Sequence, residues 1–286
     1  MSIVVTGATG ELGRLVVERL LATVPAESVA AVVRDKEKAA PLAARGVEIR
    51  VADYDSPESL AAAFRAGDRV LLISANEVGR RIPQHTAVID AARAAGVAQL
   101  AYTGVLGGPD ADFQLAAEHK VTEQLILDSG LPYTFLRNGW YTENYTANLA
   151  PVLEHGAVVA NAGEGRIAVA TRADYADAAA AVLTGEGHLG VAYELSGDTA
   201  WSLAEYAAVV SEATGREIAY KNVPAAVHQE ILVGAGLPEP FAAILVDVDE
   251  AIARGLLAGT SGDLARLIGR PATPLAETVA AAVAAA

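Results

Sequence analysis

The chain has 286 residues, a formal net charge of −14, 52% hydrophobic residues and no cysteine. That length and composition suit one large domain, or one and a half, and rule out a disordered chain. An acidic surface repels phosphate backbones, so nucleic acid is not an expected partner, and without cysteine there is no disulfide, thiolate nucleophile or cysteine-ligated metal.

Ile3, Val4 and Val5 form a β-branched run that reads as a buried strand. Gly7-x-x-Gly10-x-x-Gly13 follows at once and leads into an amphipathic stretch over 14–23. Between a strand and a helix, this spacing is that of a dinucleotide-binding turn. Gly7 permits the sharp turn, Gly10 lets a pyrophosphate approach the backbone, and Gly13 lets helix and strand pack closely. Free N–H groups and the positive end of the helix dipole then face the phosphates.

Further strands are predicted over 29–34, 47–51, 69–74, 97–103 and 133–137. Helices are predicted over 36–45, from Ser56-Pro57 to near Gly67, over 83–95 and over 114–129. Ser56 reads as an N-cap with proline at the first helical position, and Gly46, Gly96 and Gly130 as helix stops. Strands spaced by such helices make right-handed parallel βαβ units. The predicted fold is α/β, a Rossmann-like doubly wound parallel sheet of order 3-2-1-4-5-6, with the cofactor across the crevice where that order reverses. Residues 1–138 are expected to form the dinucleotide-binding domain and residues 139–286 a smaller, mostly helical substrate or cap region, from which 191–195 is the segment best suited to rejoin the sheet.

After residue 138 the rhythm changes. Residues 138–150 read as a loop or short helix, 156–168 as short strands, 172–183 as a helix and 217–220 as a strand. Ser202-Leu-Ala-Glu205 is a capping box opening a helix to Thr214. From Pro224 the chain reads as helices, ending in an alanine-rich one over 277–286. No apolar run reaches the length of about 18 residues that spans a bilayer, and the amino terminus lacks a basic leader, so no membrane association and a cytoplasmic location are expected.

The choice between NAD and NADP is made just past the second strand. There Arg34 is placed to pair with a 2′-phosphate, which selects NADPH, while Asp35, one residue on, is able to face a ribose instead. Asp53, after the third strand, reads either as an adenine contact or as a turn aspartate. Ser74, past the fourth strand, should line the crevice near the ribose or nicotinamide. The five histidines are scattered without metal spacing, and His85 and His119 read as structural or solvated. No metal site is expected.

Together, Gly7-x-x-Gly-x-x-Gly13, Val33-Arg34, Leu72-Ile-Ser74, Ala101-Tyr-Thr103, Tyr133-Thr-Phe-Leu-Arg-Asn138 and Thr171-Arg-Ala-Asp174 resemble the NmrA-like atypical short-chain dehydrogenases over essentially the whole chain. Ser74-Ala-Asn-Glu-Val-Gly79 and Arg137-Asn-Gly-Trp-Tyr-Thr-Glu-Asn-Tyr145 look most like the quinone-reducing members of that group, and Gly236-Leu-Pro-Glu-Pro-Phe241 like those that reduce triphenylmethane dyes. The resemblance implies that the backbone of Gly7, Ala8, Thr9, Gly10, Glu11, Leu12 and Gly13 holds the pyrophosphate and Arg34 the 2′-phosphate. It places Ser74, Asn138, Gly139, Trp140, Tyr141, Thr142 and Glu143 along the nicotinamide half and brings Arg172 toward the cofactor; the alternative for Arg172 is a surface pair with Asp174 or Asp177.

The usual Tyr-x-x-x-Lys is broken. Lys120 matches the lysine, but Ala116 stands where the tyrosine belongs. Lys120 is then either a catalytic remnant or a solvent-facing lysine, and Asn138 is the other candidate, able to hold the nicotinamide carboxamide. Without a tyrosine donor, reduction should be hydride transfer alone. A quinone suits this, because its hydroquinone anion takes a proton from water. The expected activity is NADPH-dependent reduction of a small-molecule quinone, acting through proximity and orientation. Trp140, Tyr141 or Phe113 would offer a stacking surface, or simply pack core against cap. The alternatives are a reductase of triarylmethane dyes or other conjugated electrophiles, and a non-catalytic NADP-binding redox sensor. A homodimer is left open.

Overall fold

The structure, a computed structural model, describes residues 1–147 and 149–285. In chain order the first half runs β1 (Ile3–Thr6), α1 (Glu11–Leu21), β2 (Val29–Val33), α2 (Ala40–Ala43), β3 (Glu48–Val51), α3 (Pro57–Leu60), β4 (Arg69–Leu72), α4 (Arg81–Ala95), β5 (Gln99–Val105), α5 (Ala116–Ser129) and β6 (Tyr133–Asn138). The second runs α6 (Glu143–Thr146), α7 (Leu149–His155), β7 (Ala157–Ala160), β8 (Arg166–Ile167), α8 (Arg172–Thr184), β9 (Val191–Leu195), β10 (Trp201–Ser202), α9 (Leu203–Thr214), β11 (Ala219–Asn222), α10 (Ala225–Gly234), α11 (Glu239–Ala253), α12 (Asp263–Ile268) and α13 (Leu275–Ala285).

Every residue of β1 and β2 is buried, because both strands are covered on two faces. They sit inside a seven-stranded parallel sheet of order β3-β2-β1-β4-β5-β6-β9. The predicted order is thus extended by β9, the segment expected to rejoin the sheet. Side chains alternate across the strands. Val5 joins Val16, Val17, Leu20, Tyr175 and Leu264 beneath α1, α8 and α12. Val4 joins Leu60, Val88, Tyr102 and Ile126 beneath α3, α4 and α5. Each such side chain contributes about 1.5–3 kcal/mol by leaving water.

The remaining segments build a third core of Leu149, Val158, Ile167, Leu203, Val210, Ile252 and Val279, which also receives Val105 and Phe113 from the β5 end. Tyr145 lies 5.2 Å from Trp201 and 5.5 Å from Tyr206, centroid to centroid. The capping box forms as read, with Ser202 and Glu205 bonding each other's backbone N–H.

Several helices differ from expectation. The helix read over 36–45 shrinks to α2, and residues 36–39 form turns in which Asp35 accepts the Glu37 and Lys38 N–H groups. The one opening at Ser56 stops at Leu60, and Ser56 gives no side-chain cap. Instead Arg65 N–H bonds Asp68 and the chain turns toward β4. The helix read from Pro83 starts at Arg81, carrying the proline in its first turn, where a missing N–H costs nothing. The readings over 138–150 and 277–286 include Asn148 and Ala286, which lie outside the described residues.

Candidate active site

The glycine turn meets the helix as its spacing demands. Gly7 has φ +58°, and Gly10 N–H bonds the Gly7 carbonyl at 2.9 Å. A Cβ on Gly13 would overlap the Gly7 carbonyl and lie 2.8 Å from the Ala8 Cα. Gly10 is the N-cap of α1 and supplies no side-chain acceptor. The Glu11, Leu12 and Gly13 N–H groups find no acceptor among the described residues. Gly7, Thr9, Gly10 and Glu11 are exposed, whereas Ala8 and Leu12 are buried anchors. This open, positively polarised end fits a diphosphate.

Arg34 is exposed at the end of β2 and forms no ion pair among the described residues. Its neighbour Asp35 is spent on its own turn, accepting from the Glu37 N–H at 2.9 Å. Asp53 likewise closes a turn, accepting from Asp55 N–H at 3.1 Å, while its own N–H bonds Ser59. Beside them stands Tyr54, which the sequence reading passed over. Its hydroxyl donates to Thr6 Oγ1, which donates to the Leu71 carbonyl at 3.0 Å and accepts from Ile73 N–H at 3.1 Å. The ends of β1, β3 and β4 are thereby tied together at the switch point. Burial pushes the Tyr54 phenol up, against the Thr6 hydrogen bond and the Arg34 charge, which lower it.

Past β4, Ser74 N–H bonds Thr103 Oγ1 at 2.9 Å and Ala75 N–H bonds His85 Nε2 at 3.0 Å. Accepting at Nε2, His85 carries its proton on Nδ1, which faces Thr122 Oγ1 at 2.9 Å; Thr122 donates onward to the Glu118 carbonyl. His119 faces the Tyr102 hydroxyl at 2.7 Å. Burial, reinforced by the Arg81 charge, holds both imidazoles at a pKa of about 3 and therefore neutral. They are structural, and not solvated.

The loop after β6 closes the other side. Asn138 is buried, with Nδ2 3.4 Å from the Tyr141 hydroxyl. Gly139 N–H bonds the Leu195 carbonyl at 2.7 Å, and a Cβ there would crowd that carbonyl and the Tyr175 hydroxyl, both at 3.1 Å. Trp140 is half-buried against the cap core, and Thr142 is fully buried. The Glu143 carboxylate accepts from the Arg172 N–H at 2.9 and 3.1 Å, capping α8. The Arg172 guanidinium lies 4.9 Å from the Tyr141 ring centre. It pairs with neither Asp174 nor Asp177; Arg270 takes both, at 2.7 and 2.8 Å. Beneath the loop Arg137 grips Glu123 through two bonds of 2.9 and 2.8 Å and Glu194 at 2.8 Å. No periodicity signals that triad, because its members come from α5, β6 and β9.

Lys120 stands apart from this group. It lies with Phe113, Asp247, Glu250 and Arg254 along an open groove of about 1020 Å³ between α5 and α11. Among the described residues, no group of three or more His, Asp or Glu could hold a metal ion, and no helix is long and apolar enough to cross a membrane.

Residues 1–254 match the profile of the NmrA-like family. The chain is 48% identical to quinone oxidoreductase 2 of Escherichia coli strain K12 over 277 residues, covering 97% of each chain. The crystal structure of NADPH-dependent quinone oxidoreductase from Escherichia coli, complexed with NADPH, superposes with a TM-score of 0.95 at 47% identity, over 98% of this chain and 99% of that one. Triphenylmethane reductase from Citrobacter sp., complexed with NADP(H), gives a TM-score of 0.94 at 44% identity, over 98% of this chain and 100% of that one.

Proposed function

The chain belongs to the NmrA-like family, and from that premise we propose that it is an NADPH-dependent quinone oxidoreductase. The observation that carries the reading is the uncapped amino end of α1, with a guanidinium at the neighbouring strand end, Arg34, that forms no ion pair among the described residues. The N–H groups of Thr9, Glu11, Leu12 and Gly13 would take the pyrophosphate, with Gly7, Ala8 and Gly10 shaping the turn. Arg34 would take the 2′-phosphate, since Asp35 is engaged in its own turn. Charge-assisted bonds of this kind are worth about 1.5–3 kcal/mol each. Asp53 and Tyr54 wall the adenosine half. Ser74, Asn138, Gly139, Trp140, Tyr141, Thr142, Glu143 and Arg172 wall the nicotinamide half, with Tyr141 fixed by Arg172 above its ring.

When bound, NADPH supplies a hydride to the quinone. The chain's contribution is to align the two flat rings and exclude water between them. Residues 1–138 would hold the cofactor and residues 139–286 cap the acceptor, apart from α8, β9 and α12, which complete the sheet layers. The likeness to a triphenylmethane reductase, together with Ala116 in place of a proton donor, supports dye reduction as a second reading. Steady-state oxidation of NADPH with benzoquinones and with a cationic dye separates the two; tight NADPH binding with no turnover on either would leave the sensor reading. We infer a cytoplasmic location, and light scattering would decide between monomer and homodimer.

A further inference from the structure

Arg81 opens α4 with its side chain folded inward, so that only 8% of the residue is exposed. A buried guanidinium is costly unless a carboxylate neutralises it. Among the described residues Arg81 forms no ion pair. Glu118 spends its carboxylate on backbone, accepting from Gly79 N–H at 2.9 Å and from Arg81 N–H at 3.1 Å. Two neutral acceptors hold the guanidinium instead: Nε donates to the Ala75 carbonyl at 2.7 Å, and Nη1 faces His119 Nε2 at 3.4 Å. The third nitrogen, Nη2, has no hydrogen-bond partner among the described residues and is not fully sealed from solvent.

Its position is defined by what surrounds it. Ala75 follows Ser74 past the end of β4, and His119 projects from α5. The guanidinium therefore stands past the carboxyl end of β4, against α5 and beside the Ser74–Ala75 turn that Thr103 and His85 hold.

We propose that Arg81 is a catalytic residue of quinone reduction, its Nη2 bonding the quinone oxygen on which negative charge develops. This rests on the NADPH–quinone reading above. A quinone that takes up hydride gains two electrons and becomes the hydroquinone monoanion. A C–H bond of the reduced nicotinamide breaks as the bond from hydrogen to the acceptor forms, NADPH becomes NADP⁺, and water donates the second hydrogen as a proton. A fixed positive donor stabilises that anion without having to reorganise, an effect of about 10²–10³-fold for a single donor. His119 positions the fork by accepting from Nη1 while staying neutral. A cationic triarylmethane dye becomes neutral on reduction, so the same guanidinium gives it no such help.

The test compares wild type with Arg81→Gln and Arg81→Lys. The ratio of kcat/KM for a neutral benzoquinone to that for malachite green should fall about a hundredfold in Arg81→Gln, with partial recovery in Arg81→Lys. NADPH affinity, measured by fluorescence titration, should hold within about twofold, because the site is remote from the phosphates. A second readout needs no turnover. When p-nitrophenol is titrated into NADP⁺-loaded protein, its bound form should ionise at a lower pH than the free phenol in wild type, and not in Arg81→Gln. Parallel loss of both acceptors, or a phenolate shift that survives Arg81→Gln, overturns the proposal. If wild type oxidises no NADPH with any quinone, the functional reading fails, and the phenolate titration still decides whether Arg81 binds an oxyanion.

Discussion

Replacing Gly13 with alanine separates the two jobs of the glycine turn. The added methyl would lie 2.8 Å from the Ala8 Cα and closer still to the Gly7 carbonyl. Ordinary carbon contacts begin near 3.5 Å, so α1 must retreat from the turn by roughly 0.7 Å or more. Both obstacles are backbone, and neither can swing aside. Overpacking of this kind costs about 1–3 kcal/mol, while alanine in a helix recovers about 1 kcal/mol over glycine. Net stability should therefore fall by at most about 2 kcal/mol.

Cofactor binding should suffer more, because the retreat moves the Glu11, Leu12 and Gly13 N–H groups together. A tenfold loss of affinity corresponds to about 1.4 kcal/mol. At a concentration 100 times the wild-type Kd, NADPH stabilises by about 2.7 kcal/mol; a tenfold weaker variant gains about 1.4 kcal/mol. At roughly 2–4 °C per kcal/mol, the NADPH-induced rise in Tm should shrink from about 5–10 °C to about half that. Thermal melts with and without NADPH read both quantities from one sample. A Gly13→Ala protein that keeps the full NADPH-induced shift would refute the reasoning, since it would show that the phosphates do not sit on this turn.

Arg34→Ala should weaken NADPH about ten- to hundredfold and leave NADH use nearly unchanged; equal losses for both coenzymes would remove the 2′-phosphate assignment. Glu123→Gln leaves Arg137, only 15% exposed at its side chain, with Glu194 as its one remaining ion-pair partner among the described residues. A loss of about 3 kcal/mol in urea unfolding is expected, and a change below about 1 kcal/mol would mean that the triad is dispensable. His85 and His119 titrate near pH 3 in the folded chain, against about 6.5 when unfolded, so the unfolded state binds more protons between those limits. Their contribution is complete above about pH 6.5 and declines as pH falls, by about 1.4 kcal/mol per pH unit for each ring. Urea midpoints measured from pH 7 down to pH 4.5 should show this slope, and His85→Gln should halve it; an unaltered slope in the variant would exclude the imidazoles as its source.

The amino-acid sequence by itself determined whatever depends on neighbours along the chain. Ile3 to Gly13 carries the strand, the turn and the helix start within one short stretch, and regular strand–helix spacing carries the order of the first six strands. The place of Arg34, one residue past the end of β2, was legible for the same reason. Tertiary structure decided what needs contact between distant segments. Asp35 and Asp53 each had two readings until their turns engaged the carboxylates, and Arg172 found Tyr141 and Glu143 because Arg270 had already taken Asp174 and Asp177. Lys120 matched a motif in register along α5, yet the fold sets it in a groove with residues of α11. Tyr54, Arg81 and the Arg137 triad gave no signal in the sequence. Their hydrogen-bond partners lie on other strands and helices, and a buried polar group is assigned a role by its partners and not by its position along the chain.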